Sequence, residues 1–171
     1  VIRAGWNRAE RPQVVVTQGF IGGTAEGLRT TLGREGSDYT AALLGNFLDA
    51  ESVTIWKDVP GILNADPRKQ TDTIKIDQLS YHDAVELAYS GAQVIHPKTI
   101  RPLENKKIPL YVKPFGNPLA EGSIICENAQ PVIVPVYIWR ENQILITMRA
   151  KDFAFVLEES LSHIFEIIHR H

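Results

Sequence analysis

Short β-branched runs that break into glycine-rich or charged turns, with helices between them, constrain this chain more than any other feature. Residues 12–18 (Pro-Gln-Val-Val-Val-Thr-Gln) read as a buried strand, and Gly19-Phe-Ile-Gly-Gly23 turns the chain. Gly33-Arg-Glu-Gly-Ser-Asp38 leads straight into apolar residues at helical spacing over 38–48, with Ser37 placed as the N-cap. Residues 52–56 (Ser-Val-Thr-Ile-Trp) form a second apolar strand, followed by Lys57-Asp-Val-Pro-Gly61, whose Pro-Gly pair marks a turn. Asn64-Ala-Asp-Pro67 predicts another turn, because a residue before proline is pushed away from helix.

Ser80-Tyr-His-Asp83 has the form of a capping box, and the helix that follows over 83–89 stops at Gly91. Pro97 suits the first turn of a helix over 98–106. Residues 108–112 and 122–126 read as strands. The order strand, helix, strand, helix, helix, strand favours a layered α/β fold. Beyond the polar stretch Glu127-Asn-Ala-Gln-Pro131 come an apolar run over 132–139, a turn at 140–142, a strand over 143–148 and a helix. In that helix Leu157, Leu161, Ile164, Phe165 and Ile168 make one apolar stripe.

Composition narrows the function classes. Lys and Arg number 18 against 20 Asp and Glu, a formal charge of −2, which argues against a nucleic-acid binder driven by bulk positive charge. Hydrophobic residues at 44% and charged residues at 22% suit a soluble chain with a packed core. The single cysteine, Cys126, excludes an intrachain disulfide and a Cys-based zinc cluster. His163, His169 and His171 lack the i, i+4 spacing that sets two ligands on one helix face, so no metal site is expected. The most apolar run, over 132–139, is about half the ~18 residues of a membrane span.

In α/β folds ligands bind where loops leave the carboxyl ends of strands, which directs attention to the three turns. A helix N-terminus offers free N–H groups and the positive end of a dipole to an anion, and glycines let the backbone approach it. Gly33–Asp38 has this plan, with Arg34 as a bidentate partner for carboxylate or phosphate. No Gly-Lys-Ser/Thr follows either glycine cluster, and neither is a G-x-G-x-x-G fingerprint, which weakens a Rossmann-like reading.

Four motifs in order and spacing resemble the aspartokinases. They are Thr17-Gln-Gly-Phe-Ile-Gly-Gly, Thr30-Thr-Leu-Gly-Arg-Glu-Gly-Ser-Asp-Tyr-Thr-Ala-Ala-Leu, Trp56-Lys-Asp-Val-Pro-Gly-Ile-Leu-Asn-Ala-Asp-Pro-Arg and Ser90-Gly-Ala-Gln-Val-Ile-His-Pro. The resemblance implies the amino-acid kinase fold, a three-layer α/β/α sandwich of carbamate kinase type, with this chain holding the nucleotide-binding half. It implies ATP-dependent phosphorylation of the L-aspartate side-chain carboxylate to 4-phospho-L-aspartate, the first step towards lysine, threonine and methionine. Phe20, Arg34, Ser37 and Asp38 match the family's substrate positions, with Glu35 and Gly36 lining the same loop, and Asp38 is also the expected catalytic residue. Lys57, Asp58, Leu63, Arg68, Gln93 and Val94 match the nucleotide positions. Many members have Thr at 57, Tyr at 63 and Lys at 93, so two hydroxyl contacts and one charge are absent here, while Lys57 gains reach to a phosphate. His96 is expected to be structural. The implied cofactor is ATP with Mg²⁺, and the implied setting is a cytoplasmic homo-oligomer with no nucleic-acid or membrane partner.

The resemblance implies residues 1–126 as the C-terminal part of the catalytic domain, 127–135 as a linker and 136–171 as the start of an ACT-like regulatory domain. Neither an initiator methionine nor the family's Lys-Phe-Gly-Gly motif is present, so a piece of a longer chain is expected, inactive alone. The alternative expectation is a regulatory or assembly piece whose ACT-like tail mediates dimerisation or amino-acid sensing.

Overall fold

The computed structural model describes residues 14–92, 94–147 and 158–170. The chain divides into two compact units, residues 1–139 and 140–171. The first contains β1 (Ile21–Gly23), β2 (Arg29–Thr31), α1 (Gly36–Leu48), β3 (Val53–Lys57), β4 (Ile62–Leu63), β5 (Lys75–Ile76) and β6 (Gln78–Leu79). It continues with α2 (Tyr81–Ser90), α3 (Pro97–Glu104), β7 (Leu110–Pro114) and β8 (Ser123–Ile125). The second unit contains α4 (Glu158–Arg170), on which Leu161, Phe165 and Ile168 are exposed.

A four-stranded sheet runs in the order β3-β7-β8-β6. β3 and β7 are parallel, with Val53 opposite Leu110 and Lys57 opposite Pro114. β8 is antiparallel to β7 and parallel to β6. The parallel pair needs a crossover, which the helices supply. Leu79, Ile100, Leu103, Leu110, Val112 and Ile125 are fully buried and form the centre of the core. α1 lies directly on β3 at Gly45, where any side chain would collide with Val53.

Local signals decide where the helices begin and end. Ser80 caps α2 by accepting from the Asp83 N–H at 3.0 Å and donates its hydroxyl to the Asp83 carboxylate at 2.7 Å. Gly91, with φ 119°, closes the same helix. Pro97 opens α3 at a position whose N–H has no intrahelical partner.

Several expectations need correction. Residues 14–18 are not a strand, and Val14, Val15 and Val16 are exposed. A strand is defined by pairing, and among the described residues no neighbour pairs with this run. Part of the expected turn at 19–23 is β1, which pairs antiparallel with β2 across Ile21 and Thr31. Ser37 is not the cap of α1: Glu35 holds that position at φ 54°, and Ser37 lies inside the helix. The described part of the expected strand over 143–148 carries no strand pairing, and neither does the run at 132–139. In that run Val132, Val134 and Val136 nevertheless pack against the core.

Two buried polar side chains fix the hairpin of β4 and β5. Ser123 Oγ accepts from the Ile62 N–H at 2.8 Å and donates to the Ile76 carbonyl at 2.6 Å. Asn64 accepts from the Ile74 N–H at 2.7 Å and donates to the Pro135 carbonyl at 3.1 Å, while its own carbonyl takes the Tyr137 N–H at 2.8 Å. Among the described residues no helix is long and apolar enough to cross a membrane.

Tyr81 is buried at the start of α2 and donates its hydroxyl to the Ile108 carbonyl at 2.7 Å. Burial pushes its phenol up to about 12, helped by the negative charge of Cys126, Glu127 and Glu104. A pKa raised on folding gives stability that is complete below the unfolded value and lost as pH rises through the folded one. The stability that Tyr81 contributes should therefore fade from about pH 10 to about pH 12. Urea-unfolding midpoints across that window should fall more steeply for the wild type than for Tyr81→Phe. Parallel curves would show that the buried phenol does not govern alkaline unfolding.

Candidate functional site

The β1–β2 hairpin returns the chain to the start of α1. The Leu32 N–H donates to the Phe20 carbonyl at 2.8 Å, and the Phe20 N–H donates to Thr40 Oγ1 at 3.0 Å. The Thr40 hydroxyl in turn donates to the Gly36 carbonyl at 2.9 Å. Phe20 adopts φ 72°, and its ring lies so close over Gly36 that a Cβ there would stand 2.8 Å from Cδ2. Gly36 therefore lets an aromatic wall sit against the first turn of the helix.

The turn itself is held by the Gly36 N–H donating to the Gly33 carbonyl at 3.0 Å, with Gly33 at φ 74° and Glu35 at φ 54°. No side chain caps α1. The Gly36 amide is thus spent in the turn and the Tyr39 amide on the Glu35 carbonyl at 3.0 Å, which leaves the Ser37 and Asp38 amides as first-turn donors of the kind an anion takes up. Arg34 and Ser37 are exposed beside them. Glu35 is turned to another use: its Oε2 accepts from the backbone N–H of His96 at 2.8 Å.

Asp38 and Lys57 come from different motifs and meet directly. Lys57 Nζ donates to Asp38 Oδ2 at 2.7 Å, with the two side chains 24% and 15% exposed. β3 delivers Lys57 to this point, and the Phe115 N–H secures its carbonyl at 2.7 Å. A charge-assisted bond of this length, screened from most solvent, fixes both side chains.

The remaining nucleotide candidates lie further along the same stretch. Asp58 is exposed just past β3, and Leu63 is half-buried on β4. Arg68 forms a fork with Asp66 through Nε at 3.1 Å and Nη2 at 2.9 Å, while its backbone N–H reaches Asp66 Oδ1 at 2.9 Å. The Arg68 hydrogen bonds hold the Asp66 carboxyl below the usual carboxylate range. In return Asp66, with a smaller contribution from Asp58, raises the Arg68 guanidinium. Val94 is half-buried against the core, and Gln93 lies outside the described residues. His96 caps α3, its Nδ1 accepting from the Lys98 N–H at 3.2 Å.

Asp66 is legible as one of two carboxylates among the charges of residues 57–68, but its fork with Arg68 is not, and Lys98 carries no sequence signal at all. Lys98 donates to the Leu32 carbonyl at 2.9 Å and lies over the Tyr39 ring, 5.7 Å from its centroid. A cleft of about 370 Å³ runs along this seam, lined by Arg34, Glu35, Tyr89, His96, Lys98 and Arg101. Elsewhere His82, Asp83 and Glu86 gather potential metal-ligand atoms within 4.8 Å. Asp83 is already engaged by Ser80, and His82 and Glu86 are exposed.

A hairpin packs against a helix start that no side chain caps, and a strand from a parallel pair brings a lysine to the Asp38 carboxylate in the first turn of that helix. Residues 7–114 match the Amino acid kinase family, and the chain belongs to that family. Lysine-sensitive aspartokinase 3 of Escherichia coli (strain K12) is 41% identical over 159 residues, 92% of this chain and 35% of that protein. The crystal structure of E. coli aspartokinase III in complex with aspartate and ADP matches with a TM-score of 0.63 and 46% identity. That match covers 66% of this chain and 25% of the other. Clostridium acetobutylicum aspartate kinase matches with a TM-score of 0.58 and 34% identity, over 64% of this chain and 25% of the other. The chain thus spans about a third of the length of its curated E. coli relative, for which the coverage is 35%.

Removing Lys57 alone leaves the Asp38 carboxylate poorly solvated and unpaired. Lys57→Met should cost about 1–3 kcal/mol of unfolding free energy. The Lys57→Met/Asp38→Asn double variant should recover most of that loss, because it deletes both charges. Strictly additive losses in urea unfolding would show that the two side chains do not depend on each other.

Proposed function

We propose that the chain serves an aspartate kinase, transferring the γ-phosphoryl group of ATP to the side-chain carboxylate of L-aspartate and releasing ADP. The observation that carries this reading is the Asp38–Lys57 contact, which joins the motif assigned to the acceptor with the motif assigned to the nucleotide. The similarity to aspartokinases, one of them crystallised with aspartate and ADP, supports the same pair of substrates.

Phosphoryl transfer depends mainly on positioning and on neutralising spread negative charge. Arg34 clamps an aspartate carboxylate in bidentate fashion, and the Ser37 hydroxyl with the α1 amides adds hydrogen bonds. Phe20 forms one wall, and Gly36 admits it. Asp38 attracts the substrate ammonium and holds Lys57 at the boundary between the two substrates. Lys57 and Arg68 neutralise polyphosphate. Arg68 spends Nε and Nη2 on Asp66, which leaves Nη1 for a phosphate oxygen. Asp58, Leu63, Gln93 and Val94 complete the nucleotide side. The acceptor oxygen forms a bond to the γ-phosphorus as the bond to the β-phosphate oxygen breaks. Mg²⁺ arrives as part of the nucleotide substrate, since phosphate oxygens and water supply most of its ligands.

The reading extends to a cytoplasmic homo-oligomer acting at the start of lysine, threonine and methionine synthesis. It assigns residues 1–126 to the catalytic domain, 127–135 to a linker and 136–171 to an ACT-like regulatory domain.

In the full-length gene product, Arg34→Ala and Asp38→Ala should each lower kcat/KM for aspartate at least tenfold, or about 1.4 kcal/mol of transition-state stabilisation. Aspartate-dependent ADP release is the assay. Wild-type kinetics from either variant would remove that residue from the site.

A further inference from the structure

We propose that Glu35 and Lys98 are paired positioning residues that tie the turn at 32–38 to the segment at 94–98, so that order in one sets order in the other. Two bonds cross this seam in opposite senses. A turn side chain, Glu35, accepts from the His96 backbone at 2.8 Å, across 61 positions of sequence. A segment side chain, Lys98, donates to the Leu32 backbone at 2.9 Å, across 66 positions. Both are charge-assisted and partly buried, so each is stronger and more directional than an exposed contact.

The surroundings make the two bonds one device. His96 caps α3 through the Lys98 N–H, so the residue gripped by Glu35 and the residue gripping Leu32 share a helix start. Lys98 also lies over Tyr39 in the first turn of α1, and its Nζ is 3.7 Å from where a Gly33 side chain would begin. Glu35 holds φ 54°, a region that disfavours side chains, and its bond to His96 offsets that strain. Arg34 stands on the turn side of the cleft, with Lys98 and Arg101 on the other. A displacement of either segment breaks both bonds and shifts Arg34 relative to Val94.

The kinetic consequence rests on the kinase reading: Glu35 acts on aspartate binding through the turn and does not contact the substrate. The physical link is independent of that reading. Hydrogen exchange with mass spectrometry on the full-length gene product tests it with Glu35→Ala, Glu35→Gln and Lys98→Met. Glu35→Ala and Lys98→Met should each speed exchange about tenfold or more in peptides from both segments, leaving peptides from β3 and β7 unchanged. Glu35→Gln keeps an oxygen that accepts from His96 and should stay within about threefold of wild type. The KM for aspartate should rise about fivefold or more in Glu35→Ala with a smaller change in kcat, and Glu35→Gln should restore it.

The proposal is overturned if Glu35→Ala and Lys98→Met leave the partner segment at wild-type exchange. It is also overturned if Glu35→Gln behaves like Glu35→Ala. If exchange responds as expected while the wild type releases no ADP with aspartate, the kinase reading fails and the link stands.

Discussion

The contact between Lys57 and Asp38, 2.7 Å long and largely shielded from solvent, is the point on which the site's geometry turns. Lys57 is placed by a strand and Asp38 by a helix, so their meeting requires α1 to lie close on β3. Gly45 supplies that closeness by having no side chain to meet Val53. The parallel pairing of β3 with β7 then holds the lysine's backbone in line. A bond of this kind is favourable only when both charges are held in place, and here the core beneath them does the holding.

Around that pivot the proposed anion site is made by backbone. A left-handed residue precedes α1 and no side chain caps it, so the Ser37 and Asp38 amides are left to an anion while those of Gly36 and Tyr39 bond the Gly33 and Glu35 carbonyls. Thr40 stitches Phe20 to the same helix turn from within. Glu35 and Lys98 add links to the start of α3. The site is thus assembled from four stretches of chain, joined by these side-chain bonds and by strand pairing, and the chain's kinase family fits that construction.

Much of this was legible in the sequence because local chemistry determined it. The Ser80–Asp83 cap, the Gly91 stop and the Pro97 helix start each depend on a few adjacent residues. Residues 52–56 and 108–112 read as strands from their apolar, β-branched composition, and pairing sets the actual strands one and two residues further on, at Val53–Lys57 and Leu110–Pro114. The failures have a common cause in long-range pairing. Residues 14–18 have strand composition, yet no described strand lies beside them. β4 and β5 are two residues each and exist through Ser123, about sixty and fifty positions away. The cap of α1 was misplaced by two positions, since a left-handed Glu35 is chosen by its partner His96 rather than by capping propensity. For the site, residue types pointed to anion chemistry, but the pairing of Asp38 with Lys57 and of Arg68 with Asp66 required coordinates. The family resemblance supplied the substrates, which residue chemistry alone did not.

The central claim is that the lysine held by Asp38 serves the nucleotide phosphates. Calorimetric titration of MgADP into the full-length gene product, wild type and Lys57→Met, tests this most directly. The account predicts an affinity at least about tenfold weaker in the variant, the loss of one charge-assisted phosphate contact. Equal affinities would contradict it and would leave Lys57 as a support for Asp38 alone.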